Sequence, residues 1–298
     1  MSANLSAIRH TASLALLTLM RPHQWVKNAF VLAPLFFTPA AVSTHSVFIV
    51  LTGMLVFCAL SSAVYILNDY ADRGSDRLHP EKCHRPLAAG TVTVITATTL
   101  LGFLVLVGLS MGFMLSRGFF MIALCYLALN LAYSLWLKHV SIVDIVLIAI
   151  GFILRVEAGS ALIQVRPSVW ILVCTSLLAL FLAVAKRRDD LVQALGNDHR
   201  KSLKGYNLRF VDTVLVICLS ALLVSYTIYT TDANVMERLG TDHLYFTVPF
   251  VFCGVLRYLQ VTMVEERSGS PTKILISDRF LHVTVFGWIL VFGMLIYG

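Results

Sequence analysis

Charged residues are scarce here: 13% of 298 positions, against 58% hydrophobic, with a mean hydropathy of +0.82. That excludes a soluble globular domain, in which about a quarter of residues carry charge. No polar stretch is long enough to build a second core. The six cysteines (58, 83, 125, 174, 218 and 253) are scattered, and five lie in apolar runs, where cysteine behaves as a small hydrophobe. No disulfide framework follows. Cys83 sits between His79 and His84, but no fourth ligand is spaced nearby to make a zinc site. There is no arginine-rich tail or aromatic-interleaved basic module, so nothing points to nucleic acid. The apolar segment 11–20 lacks a following small-residue cleavage site, which argues against a signal peptide.

What fills the chain instead is hydrocarbon. A spanning helix needs about 20 mostly apolar residues. Such runs predict an all-α integral membrane protein of nine spans, near 29–44, 46–67, 92–115, 118–137, 142–164, 168–186, 211–231, 243–263 and 281–297. Residues 5–24 read as an interfacial helix with Trp25 at headgroup depth, giving an N-terminal segment 1–28 and a transmembrane domain 29–298. With the N-terminus cytoplasmic, Lys and Arg crowd the inner segments, and the outer ones hold only Arg117, Arg166 and Arg238. Nine spans then put the C-terminus outside, in the inner (cytoplasmic) membrane of the cell. The net charge of +7 becomes a property of one face, suited to anionic lipids or anionic substrates. A homo-oligomer is compatible with all of this.

One helix end breaks the apolar pattern. NDYADRGSDRLHPEKCHRPLAAG, residues 68–90, follows the run 47–67 with three aspartates and four basic residues. If the helix continues, Asn68, Asp72 and Asp76 stack on one face with Asp69 beside them. Like charges so placed repel, and a helix C-terminus is already the negative end of the macrodipole. Local cost of this kind is expected where function sets the sequence. Clustered oxygen ligands without cysteine suit a hard divalent cation, and magnesium bridges carboxylates to phosphate oxygens, which points to a diphosphate. The competing reading pairs these aspartates with Arg73, Arg77, Lys82 and Arg85 in a solvated loop. A second charged end follows the sixth span, where Lys186, Arg187, Arg188, Asp189 and Asp190 lie on the same face. Two acidic ends converging on one cytoplasmic cavity would hold two metal ions on one diphosphate leaving group. A plain positive-inside anchor is the alternative for the three basic residues.

NDYADRGSD resembles the NDxxDxxxD pattern of the UbiA superfamily of intramembrane prenyltransferases, and RPHQWVKN (21–28), YSLWLK (133–138) and GFILRVEAG (151–159) look like its further signatures. The resemblance covers nearly the whole chain. It implies a nine-helix bundle around a central cavity, a magnesium-dependent reaction, and aspartate motifs at the cytoplasmic ends of the second and sixth helices. It also implies site roles for Arg21, Lys27, Asn28, Asn68, Tyr133 and Lys138; Tyr133 alone would read as an interfacial anchor. The second motif departs from the DxxxD of aromatic prenyltransferases, because Gln193 and Ala194 stand four positions after Asp189 and Asp190. KRRDDL, with 248–259 and 270–281, is instead similar to the branch that transfers phosphoribosyl groups to polyprenyl phosphates. That branch implies phosphoribosyl diphosphate as donor and polyprenyl phosphate as acceptor. An aromatic prenyltransferase would use a prenyl diphosphate.

The acceptor in such a reaction is already an anion, so no general base is required, in keeping with the lack of a convincing His–carboxylate pair in the spans. Positive charge is required, and Arg21, Lys27, Arg85, Lys138, Lys186, Arg187 and Arg188 supply it. Asp69, Asp72, Asp76 and Asp190 are the expected catalytic acids, joined by Asp189 as metal ligands. Arg155 and Glu157 lie within the fifth span, where ionisable residues are costly. Arg155 is expected either to face substrate phosphate or to pair with an acid on a neighbouring helix. Arg257 is expected to snorkel toward the cytoplasmic face. A transporter would place charge at mid-membrane on broken half-helices with internal repeats, and no clear repeat is visible.

Overall fold

Helices follow wherever the chain runs apolar without interruption. The computed structural model describes residues 14–194, 205–265 and 271–298. Among the described residues there is no strand, and eight helices are long and apolar enough to cross a membrane. We label them α1 (Thr44–Ala71), α2 (Val94–Leu115), α3 (Arg117–Leu135), α4 (Val143–Ile163), α5 (Val169–Ala194), α6 (Leu208–Thr231), α7 (Val248–Met263) and α8 (Arg279–Tyr297). Several carry sequence-legible starts. Ser43, Thr93, Asn207 and Asp278 each accept a backbone N–H from the residue three positions on.

The expected first span, 29–44, is not one uninterrupted helix. Residues 14–20 are helical, Arg21 turns into the left-handed region at φ 53°, and Pro22–Val31 continues as a 3-10 helix followed by a single α-turn at Ala33–Phe36. Pro22, Pro34 and Pro39 explain the interruptions, since each lacks an N–H donor.

The chain forms two compact units. Of the described residues, the first holds 14–36, 41–137 and 154–166, and the second holds 37–40, 138–153, 167–194, 205–265 and 271–298, so the two halves of α4 belong to different units. In the first unit, Phe57 lies at the centre of a core with Val31, Leu60, Phe119, Tyr126 and Leu162, edge-on to Phe119 at 5.6 Å. The segment expected at the interface packs into this unit. Leu19 is fully buried, and the Trp25 indole donates to Ser62 Oγ of α1 at 3.0 Å. Gly159 permits the closest approach: a Cβ there would lie 2.0 Å from the Val31 carbonyl oxygen.

In the second unit, Phe181, Val184, Leu215, Leu219, Tyr258 and Val261 form the core. A polar knot ties α6 to α8, with the Trp288 indole donating to the Tyr226 hydroxyl, itself 2.6 Å from Thr247 Oγ1. Arg257 does not snorkel free. It binds Asp278 Oδ2 at 2.8 Å and Glu265 at 2.7 Å, because the N-cap acid of α8 lies within reach. This bond holds the Asp278 carboxyl below the usual carboxylate range.

Candidate active site

The first charged helix end differs in register from the expectation. Helix α1 stops at Ala71, Asp72 leaves helical geometry at φ −91°, ψ 1°, and helix resumes for one turn at Arg73–Asp76. The uninterrupted stack of Asn68, Asp72 and Asp76 is therefore not formed. The break instead brings Asp69 and Asp76 together, both buried, at 2% and 4% exposure. Arg85 Nη1 donates to Asp69 Oδ1 at 3.2 Å and to Asp76 Oδ2 at 2.7 Å, and Arg21 also binds Asp69 Oδ1. Arg85 stands extended before Pro86, as a pre-proline residue prefers, and caps the turn Pro86–Ala89. Arg73 and Arg77 hold that turn through the carbonyls of Leu87 and Ala88. They stabilise the loop's backbone, and Arg85 binds the aspartates.

Neighbouring groups extend this positive, oxygen-lined end. The Arg21 guanidinium also lies over the Tyr65 ring, 5.2 Å from its centroid. Burial, then the charges of Arg21 and Lys27, holds the His23 imidazole below its usual value, so it is neutral at pH 7. Among the described residues, no three His, Cys, Asp or Glu side chains gather closely enough to hold a metal ion. Asn68 Oδ1, however, is buried and has no hydrogen-bond partner. A buried carbonyl oxygen without a donor is costly, and beside Asp69 and Asp72 it suits a hard cation. Magnesium needs only one or two protein carboxylates when phosphate and water complete its shell. The donor set thus fits a magnesium ion shared with a phosphorylated substrate.

Beneath this end lies a buried polar network in the same unit. Asn28, fully buried, donates to Cys58 Sγ and Ser61 Oγ, and accepts Arg155 Nε at 2.8 Å. Arg155 also donates to the Tyr126 hydroxyl at 3.0 Å and stacks over that ring. Its bond to Asn28 links two of the sequence signatures, 21–28 and 151–159. Glu157 and Tyr133 are half-buried.

In the second unit, α5 carries its charged end as one continuous helix. Arg187, buried at 5%, donates Nε to Asp144 Oδ2 at 2.6 Å and Nη1 to Asp190 Oδ2 at 2.8 Å. Arg188 binds Asp212 at 2.7 Å and the Thr262 carbonyl at 2.9 Å. Lys186 is exposed, and Lys138, Asp189 and Asp190 are half-buried. The Tyr206 hydroxyl donates to Asp144 Oδ1. Burial, then that bond, pushes its pKa up to about 12. Asp144, Tyr206 and Tyr126 do not figure in the sequence reading. A lone carboxylate at the start of an apolar span was a usable signal for Asp144, whereas the two tyrosines carried none.

Carboxylates buried against arginine at the ends of membrane-length helices make both charged ends candidate sites for polar chemistry. Residues 29–285 match the UbiA prenyltransferase family, and the chain belongs to that family; it is a transferase. It is 32% identical to a decaprenyl-phosphate phosphoribosyltransferase of Mycolicibacterium smegmatis, over 95% of this chain and 92% of that protein. A second decaprenyl-phosphate phosphoribosyltransferase, from Corynebacterium glutamicum, is also 32% identical, over 93% and 85% of the two chains. A UbiA homologue from Archaeoglobus fulgidus, solved with GPP and Mg2+, superposes with a TM-score of 0.71 over 95% of this chain and all of its own, at 19% identity.

Proposed function

We propose that the protein transfers a 5-phosphoribosyl group from phosphoribosyl diphosphate to a polyprenyl phosphate, at the cytoplasmic face of the inner membrane. The observation that carries this reading is near-full-length similarity to two phosphoribosyltransferases in a chain whose second acidic motif is KRRDD. In the reaction, a phosphate oxygen of the acceptor forms a bond to ribose C1 as the C1–O bond to diphosphate breaks. The diphosphate leaves with the electron pair, and the sugar has oxocarbenium character in between. No proton moves, so no general base is assigned.

Asn68, Asp69, Asp72 and Asp76 in the first unit would hold magnesium, and Asp189 and Asp190 in the second are assigned the same chemistry. When bound, the ion supplies charge neutralisation to the departing diphosphate. Arg21 binds Asp69, and Arg85 bridges Asp69 and Asp76 and so holds the two carboxylates together. Lys27, Tyr133, Lys138, Lys186 and Arg188 are assigned to substrate phosphates, and Arg187 to holding Asp190. Asn28 and Arg155 brace the floor of the site through their mutual bond.

Membranes containing the protein, incubated with labelled phosphoribosyl diphosphate and polyprenyl phosphate, should form a labelled lipid that a chelator abolishes. Absence of that lipid would defeat the proposal. The broader family and the GPP-bound relative favour a second reading, prenyl transfer to an aromatic acceptor. It predicts that prenyl diphosphate, rather than phosphoribosyl diphosphate, competes for the donor site.

A further inference from the structure

Among the described residues Asp144 is the most completely enclosed acid, at 0% exposure, and it stands one residue inside α4. Its two oxygens are divided between two donors. Oδ1 accepts the Tyr206 hydroxyl at 2.7 Å and Oδ2 accepts Arg187 Nε at 2.6 Å. The chain of bonds extends at both ends, since Tyr206 Oη accepts the Ile142 N–H at 2.6 Å and Arg187 Nη1 donates to Asp190 Oδ2 at 2.8 Å. Ile142 has φ 71°, which a β-branched residue rarely adopts and which tends to persist where surroundings over-determine the backbone. Gly205 lies so close to Ser141 that a Cβ would sit 2.1 Å from Oγ. Three segments of the second unit, around Ile142, Tyr206 and Arg187, are thereby fixed to one another.

Stability alone gives little reason to bury an acid there, because apolar replacement of a buried ion pair is often neutral or stabilising. Control of Arg187 does give one. A guanidinium that meets a single carboxylate can close on it with two parallel bonds. By taking Nε, Asp144 leaves Arg187 to meet Asp190 through Nη1. We infer that Asp144, oriented by Tyr206, is a positioning residue that fixes Arg187 so that Asp190 is presented to the diphosphate donor. This rests on the assignment of Asp190 to donor diphosphate.

The test compares purified wild type with Asp144→Asn, Tyr206→Phe and a control, Tyr226→Phe, which removes a buried hydroxyl from the knot between α6 and α8. Asparagine keeps one acceptor oxygen and puts an NH2 donor in place of the other, so Arg187 or Tyr206 loses its acceptor. Donor and acceptor KM, kcat, and thermal stabilisation by magnesium diphosphate without lipid are measured. Asp144→Asn should raise donor KM about tenfold or more with kcat within threefold and acceptor KM unchanged, and should lose most of the stabilisation by magnesium diphosphate. Tyr206→Phe should move both readouts the same way by about threefold. Tyr226→Phe should lower the melting temperature and leave donor KM alone. The inference fails if donor KM stays within twofold of wild type in whichever of the first two variants folds, or if Tyr226→Phe raises it equally. A wild type that makes no product and is not stabilised by magnesium diphosphate counts against the proposed function itself.

Discussion

Arg85 joins Asp69 and Asp76 through a single nitrogen, and Arg21 binds the same Asp69 oxygen that Arg85 does. Two buried carboxylates would otherwise repel one another in a poor dielectric. Arg85→Lys retains the charge but replaces a rigid planar fork by a flexible, more strongly hydrated ammonium. Turnover at fixed magnesium should fall by roughly 10–100-fold, as for the loss of a partner that orients a metal ligand, with partial recovery at high magnesium. Steady-state assays over a magnesium series check this. The aspartates themselves were legible as a motif, but their pairing was not. It depends on Asp72 leaving helical geometry, which replaces an expected stack of Asn68, Asp72 and Asp76 with two carboxylates seven residues apart bridged by Arg85. Arg187 shows the same limit: sequence put it at the membrane face among basic neighbours, whereas the fold turns it inward to Asp144.

At the scale of elements, hydropathy located eight helices to within a few residues at most ends, because each is an uninterrupted apolar run. It overextended only where prolines and the left-handed Arg21 divide the chain between residues 21 and 44. Helix contacts invite two substitutions. Gly159→Ala places a Cβ 2.0 Å from the Val31 carbonyl and should destabilise by about 1–3 kcal/mol or more. Gly102→Ala, in α2 with open space around it, should be neutral or stabilise by about 0.5–1 kcal/mol. Melting in detergent separates the two. The latch between α7 and α8 gives a pH test. The Asp278 carboxyl is depressed by Arg257, so its stabilisation is present above the unfolded value of about 3.9 and is lost as pH falls through the lower folded value. Acid melting curves of Asp278→Asn should therefore be flatter than wild type below about pH 4, and parallel curves would contradict the latch.

For the whole molecule, the proposal that the acidic ends face the cytoplasm rests on the bias of Lys and Arg to one set of loops. Cys83, half-buried in the loop that carries Arg85, reports on that face directly. A membrane-impermeant maleimide should label it in inside-out vesicles and not in right-side-out ones, once the other five cysteines are replaced; the reverse pattern would invert the topology. Class and family were legible across the chain because composition and four motifs spread from residue 21 to residue 159 agree with the match over 29–285. The donor is the central claim, and a doubly labelled one tests it most directly: phosphoribosyl diphosphate with 14C in the ribose and 32P in the β-phosphate, given to purified protein with polyprenyl phosphate and magnesium. Carbon label in the lipid, with 32P left in water as diphosphate, is the predicted result. Phosphorus label in the lipid, or no transfer of carbon at all, would contradict it.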